Sequence, residues 1–320
     1  MGVNRDKIDV WKADVAKSVD FYNDWFMKFA PQAFRDTRIA VTEQVEKALQ
    51  WTANLTSIHP EMLQKHPSVL SMLRMATCPP IARDRLVGLA GISPNLVKNM
   101  EKDGRIPSMM KQSELIRQLG MIGSIIETMT DPDIVVWKRR GDTGTKDEVH
   151  RASTIIADRL CGVVADPIIR NAQEKRQFSA IKAWFEARGY RELESGEAKG
   201  WLSMPNGTFS FRFNVPVQQR DESKQVNIPV DAVIMRKNAK EGDFPALFEA
   251  KSAGDFANTN KRRKEEAIKI QQLRHTYGEK IALNLFLCGY FDSGYLGYEA
   301  AEGIDWVWEH RIGDLEQFGF

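Results

Sequence analysis

Long apolar runs are absent from this 320-residue chain. No stretch reaches the roughly 18 uncharged apolar residues of a membrane helix, which excludes an integral helical membrane protein. The opening, MGVNRDKIDV, has no apolar core for a signal peptide. Asp6 stands where a myristoylation signal needs Ser or Thr. Cysteine is scarce: Cys78, Cys161 and Cys288 are far apart and odd in number, so they fit neither a disulfide framework nor a zinc cluster. The chain reads as a cytoplasmic protein with reduced thiols. An excess of one charge is also missing, with 45 basic and 43 acidic residues and a net charge of +2. There is no internal repeat and no low-complexity tract. A composition of 42% hydrophobic and 28% charged residues excludes disorder, collagen and coiled-coil rods as the main architecture.

The length suggests about two domains, at roughly 100–200 residues each, or one large one. The first 150 residues read as helical. Trp11, Val15, Val19, Tyr22, Phe26 and Phe29 recur at spacings of three and four, one face of an amphipathic helix. Further helices are expected over 37–54, 61–76, 81–90, 94–102 and 111–129, punctuated by prolines such as Pro31, Pro60 and Pro132. Residues 82–104 resemble a helix-turn-helix, with Asn95, Lys98 and Asn99 on the second helix. The run KRRGDTGTKDE (138–148) is the candidate linker. The expected division is a helical region 1–150 and a second domain 151–320.

The period changes after about residue 205. TFSFRFNVPVQ places Phe209, Phe211, Phe213, Val215 and Val217 on one face of a strand. Polar turns at 218–225 and 236–243 separate it from VNIPVDAVIM (226–235) and FPALFEAK (244–251). A helix over 259–277, a strand over 282–291 and a last strand near 295–309 follow. A helix leading from the third strand to the fourth suits a parallel crossover. The fold class is therefore α/β or α+β with a mixed sheet.

Asp231, Glu249 and Lys251 carry the chemistry. Glu249 and Lys251 share one face of their strand. A hairpin centred near residue 240 would put Asp231 directly across from Glu249, with Cβ atoms roughly 4.5–5.5 Å apart. Two carboxylates so close repel unless a cation lies between them, and hard oxygen ligands suit Mg²⁺. Lys251 points to the same site, where it could position or deprotonate a water. A third acidic residue, Glu174, falls in register with Phe178, Ile181 and Phe185 on the apolar face of a helix over 170–189. An inward carboxylate is costly unless it is paired or near a metal.

Asp231, then seventeen residues, then Glu249-Ala250-Lys251 resembles the PD-(D/E)xK nuclease motif, and the order of elements resembles its αβββαβ core. The proline is displaced by one position, Pro229-Val-Asp231. RNAQEKRQ, FEAKSAGDF, NTNKRRKEEA and EHRIGDL are more specifically similar to the XamI-like type II restriction endonucleases. The likeness is clear over about 150–320 and looser before it. This resemblance implies Mg²⁺-dependent double-strand cleavage of DNA, with Asp231, Glu249 and Ala250 holding the metal. Lys251 would then serve the attacking water, and Glu174 would be an auxiliary acid. It also implies the palindrome GTCGAC and a cognate DNA methyltransferase acting on the same site.

Basic charge is concentrated in one segment. Residues 258–277 carry six Lys or Arg against two Glu, whereas 278–320 carry two against eight acidic residues. Asn258, Asn260, Lys261, Arg262, Arg263 and Lys264 are candidate DNA contacts, since phosphates take Lys and Arg while base edges are read by Arg, Lys, Asn and Gln. Gln219 and Arg220 in the first polar turn, and Ser252 beside Lys251, complete the set. A palindromic target presents its half-site twice, so a homodimer is expected, with the helical region as recognition or dimerisation surface. A non-catalytic DNA-binding protein, and a repair or junction nuclease on the same core, are the competing readings.

Overall fold

The computed structural model describes residues 2–194, 196–218, 225–257 and 259–320, those of 260–263 as backbone. The order is α1 (Ile8–Trp51), α2 (Pro60–Lys65), α3 (Leu70–Met75), α4 (Arg83–Ala90), α5 (Pro94–Lys98), α6 (Gln112–Met129) and α7 (Lys146–Glu186), all helical. Then come β1 (Arg191–Glu192), β2 (Thr208–Gln218), β3 (Gln225–Met235), β4 (Ala246–Ala253), α8 (Thr259–Tyr277), β5 (Leu283–Gly289), α9 (Ser293–Ala301) and β6 (Asp305–Trp308). A helical N-terminal region and a mixed six-stranded sheet make this an α+β protein. No helix among the described residues is long and apolar enough to cross a membrane.

The chain forms two compact units, Met1–Phe29 with Arg170–Phe320, and Ala30–Ile169. This differs from a division at residue 150, which falls inside the uninterrupted helix α7. The first residues belong with the sheet because Asn4 bonds to it. Its backbone N–H donates to Asp305 at 2.9 Å, and its side-chain amide donates to the Trp306 carbonyl and to Asp314. Pro31 does not end a helix either: α1 runs through it for 44 residues, and α7 likewise runs through Pro167. Each proline removes one helical hydrogen bond, and each lies within three residues of a division between the units. In the helical unit, α4 and α5 form the expected hairpin, with Gly91 left-handed (φ 60°) between them and Pro94 opening the second helix. Asn95 and Lys98 are exposed on it.

The sheet runs β1 to β6 in sequence order. β2, β3 and β4 are antiparallel neighbours, while β4–β5 and β5–β6 are parallel, joined by crossovers through α8 and α9. The region expected as a last strand over 295–309 is instead α9 followed by the four residues of β6. Asp292 caps α9 by accepting from the Tyr295 N–H at 2.7 Å. That side-chain cap starts a helix which the apolar composition of this stretch conceals.

One side of the sheet packs Ile181, Trp184 and Phe185 of α7 against Phe209, Ala232, Ile234, Phe248 and Phe286. The other packs Ile270 and Leu273 of α8 and Leu296 of α9 against Val233, Leu247, Leu285 and Trp306. The alternating residues of β2 are divided between these two cores, although their pattern assigns them to one face. Phe209 and Phe211 join the α7 side, whereas Phe213, Val215 and Val217 join the α8 side. The change falls at Arg212, whose φ of 52° lies outside the extended region and interrupts the pleat.

Candidate active site

The site lies where two backbone ladders leave a gap. β2 pairs with β3 on both sides of Arg212, but the step from Arg212 to Asp231 is missing. β3 pairs with β4 from Ile234–Ala246 to Ala232–Phe248 and stops. One further step in that register is Asp231 opposite Glu249, the placement inferred from the turn at 236–243. The Asp231 side chain replaces the missing ladder bond, with Oδ2 accepting the Ala250 N–H at 2.9 Å. Strand alternation sends Glu249 and Lys251 to the side of Leu247, where α8 packs.

Glu249 is 3% exposed. Its Oε2 lies 3.0 Å from Lys251 Nζ and its Oε1 2.6 Å from Lys269 Nζ. Lys269 comes from α8 and also donates to the Pro229 carbonyl at 2.9 Å. Glu266, one turn earlier, places Oε1 3.5 Å from Lys251 Nζ. Burial, then the nearby charge of Glu249, push the Asp231 carboxyl up to about 6, although Lys251, the Ala250 N–H and Lys269 pull the other way. Burial raises Glu266 to about 7 against the pull of Lys251. Burial alone would lower the Lys251 ammonium, but Glu249, Glu266 and Asp231 outweigh it and hold the group above its ordinary value.

Sequence reasoning misses Lys269 and Glu266, although one signal is there. Glu266, Ile270 and Leu273 recur at four and three, so Glu266 sits on the apolar stripe of its helix. The acidic layer extends to Glu299, which is 1% exposed. Burial, then Glu266, push Glu299 up to about 8, and Tyr295 offsets only part of this. A carboxyl whose folded pKa is raised contributes stability that is full below the unfolded value and lost as pH rises through the folded one. Glu299→Gln should therefore gain stability over the parent between about pH 5 and 8, as the parent loses that contribution. Calorimetric melting of both proteins across that range checks the sign, and an advantage that shrinks with rising pH would contradict it.

Asp231, Glu249 and the Ala250 backbone offer hard oxygen donors on neighbouring strands. Among the described residues no group of three or more His, Cys, Asp or Glu is arranged to hold a metal ion. Two carboxylates suit an ion that keeps several waters, which is the habit of Mg²⁺. A divalent cation would also offset the burial and the Glu249 charge that together raise Asp231, so the donor set fits.

The structure gives Glu174 a different setting. The buried stripe of α7 at this level is Gln173, Gln177, Ile181 and Trp184. Gln177 reaches the Lys251 and Phe286 carbonyls at 3.4 and 3.3 Å. Glu174 lies beside that stripe, about one-third exposed, and its Oε1 accepts from Arg212 at 2.8 Å. Of the DNA candidates, Ser252 donates to the Cys288 carbonyl at 3.2 Å and Lys264 is exposed. Gln219, Arg220 and Asn258 lie outside the described residues, as do the side chains of Asn260, Lys261, Arg262 and Arg263.

Residues 53–308 match the family model described as XamI restriction endonuclease. The chain is also 52% identical over 317 residues to the type II restriction enzyme SalI of Streptomyces albus G, covering 99% of each chain. The chain belongs to the XamI restriction endonuclease family. It is a site-specific endonuclease, as the family resemblance of its motifs implies. No solved structure matches it. The family match takes in the helical unit from residue 53 as well as the sheet, so the helices are part of the XamI architecture and not an appended module.

Proposed function

We propose that this XamI-family enzyme is a PD-(D/E)xK nuclease that makes Mg²⁺-dependent double-strand cuts at GTCGAC as a homodimer, one active site per strand. The observation that carries this reading is the gap between β3 and β4, bridged by Asp231 to the Ala250 N–H with Glu249 and Lys251 alongside. The palindrome rests on resemblance to the XamI-like enzymes. Asp231, Glu249 and the Ala250 carbonyl would hold the ion. When bound, it supplies charge neutralisation at the phosphodiester and a more acidic water. Lys251 stays an ammonium, because its carboxylate neighbours stabilise that form. It therefore donates hydrogen bonds and positive charge to the attacking water or the phosphate instead of removing a proton.

Glu174 enters this reading through Arg212, the β2 residue at the ladder position beside Asp231. Exposed ion pairs contribute about 0–1 kcal/mol, so Glu174→Gln should barely change the melting temperature. It should slow cleavage about as much as Arg212→Ala, and the double variant should be no slower than either single one. Additive losses would separate the two residues.

The helical unit, with its α4–α5 hairpin, takes recognition or dimerisation. Ser252 and the segment from Asn258 to Lys264, with Gln219 and Arg220, approach the DNA. Binding should then weaken steeply with salt, and removing both Arg262 and Arg263 should flatten the log–log slope by roughly 0.9 for each phosphate left without its cation. An unchanged slope would remove those side chains from the phosphate-binding set. The functional partner is a methyltransferase that modifies the same site, and the compartment is the cytoplasm.

Digestion of a sequenced plasmid with and without Mg²⁺, followed by run-off sequencing, tests the whole reading. Both strands should be cut at GTCGAC only with the metal. Cutting that depends on mismatches or branches would point to a repair enzyme on this core. Light scattering on a short duplex should give two protein chains per duplex, and one chain cutting both strands in a single encounter would overturn the dimer.

A further inference from the structure

Both oxygens of Glu249 are occupied by ammonium groups of the chain itself. Lys251 holds Oε2 and Lys269 holds Oε1. Lys269 also bonds to the carbonyl of Pro229, two residues before Asp231 in β3. Its ammonium therefore spans β3 and β4 beside the point where their ladder stops. A divalent ion shared by Asp231 and Glu249 seeks the same carboxylate, and two cations about 4 Å apart repel strongly away from bulk water. The two lysines are not equally free to yield. Lys251 has a second carboxylate, Glu266, at 3.5 Å, whereas the second partner of Lys269 is a neutral carbonyl.

We propose that Lys269 is a displaceable internal cation that competes with the metal for Glu249. The inference rests on the reading that Asp231 and Glu249 hold a divalent ion. In the metal-free protein Lys269 neutralises Glu249 and ties the two strands where backbone bonds are missing. Metal loading releases its ammonium from Glu249 Oε1. Metal affinity is accordingly weaker than the two carboxylates alone would give, because binding includes the cost of displacing Lys269. A residue that merely positioned Glu249 would act in the opposite direction, since its loss would weaken metal binding.

The test is calorimetric titration of the full chain with Ca²⁺ in the absence of DNA. Lys269→Gln should bind Ca²⁺ on the order of tenfold more tightly than the parent, and Lys269→Arg should stay close to the parent. Equal or weaker binding by Lys269→Gln overturns the proposal. Acylation of the unmodified protein by an amine-reactive ester, mapped by mass spectrometry, gives a readout that needs no variant. Ca²⁺ should increase labelling of Lys269, and unchanged labelling overturns the proposal even if Lys269→Gln fails to fold. Asp231→Ala separates the two levels. If it loses Ca²⁺ binding while Lys269→Gln gains nothing, only the competition is wrong. If it binds Ca²⁺ like the parent, the metal site is wrong and the competition falls with it.

Discussion

Asp231→Ala should abolish plasmid cleavage, by a factor on the order of 10³ or more, while leaving the protein folded. Charge stabilisation at a bound ion contributes several kcal/mol to a phosphodiester transition state, and each 1.36 kcal/mol is about tenfold in rate. Asp231 supplies one of the two carboxylates that the β3–β4 register brings opposite each other where the ladder stops. The variant loses a hydrogen bond to the Ala250 N–H, but it also loses a carboxyl that burial and Glu249 have pushed up to about 6. These changes oppose one another, so the melting temperature should move little. Single-turnover cleavage of a duplex carrying the site, beside a thermal melt, is the measurement. Parent-like cleavage by a folded Asp231→Ala protein would rule out the assigned site.

Lys251→Ala should lose turnover by about 10²–10³, the scale of removing one preorganised donor, with DNA affinity nearly unchanged. Its ammonium is held between Glu249 and Glu266, so its charge is fixed in place before substrate arrives. A group whose main interaction forms in the transition state changes the rate more than binding. Unlike Asp231→Ala, this variant should also melt lower, because Glu266 is left buried without its cation. Anisotropy on labelled duplex in Ca²⁺, combined with rapid-quench rates in Mg²⁺, separates the two effects. Normal turnover with much weaker binding would make Lys251 a phosphate ligand.

The parts of the site legible in the sequence are those that depend on local periodicity. Alternation along FPALFEAK places Glu249 with Lys251, and the centre of the 236–243 turn sets the register that brings Asp231 opposite Glu249. Three observed pairs keep that register. Lys269 is not legible as a site residue, and Glu266 only as an inward carboxylate, because their meeting with Glu249 and Lys251 depends on how a helix lies across a sheet. Their surroundings in α8 are highly charged, which gives the impression of a solvated or DNA-facing helix. Glu174 shows the same limit in reverse: its spacing suits an apolar face, but Gln173 and Gln177 occupy that stripe. In β2 the alternation is legible residue by residue. The left-handed turn of Arg212, which sends the two halves to different cores, has no signature in a non-glycine residue.

The bonds from Asn4 to Asp305, Trp306 and Asp314, with Arg311 reaching both Asn4 and Asp14, have a consequence for biosynthesis. These bonds of Asn4 and Arg311 cannot form until residues 305–314 have left the ribosome. The helical unit, contiguous from Ala30 to Ile169, has been synthesised in full well before then. The two ends of the unit that holds the sheet are therefore joined only after every strand of the sheet has been synthesised.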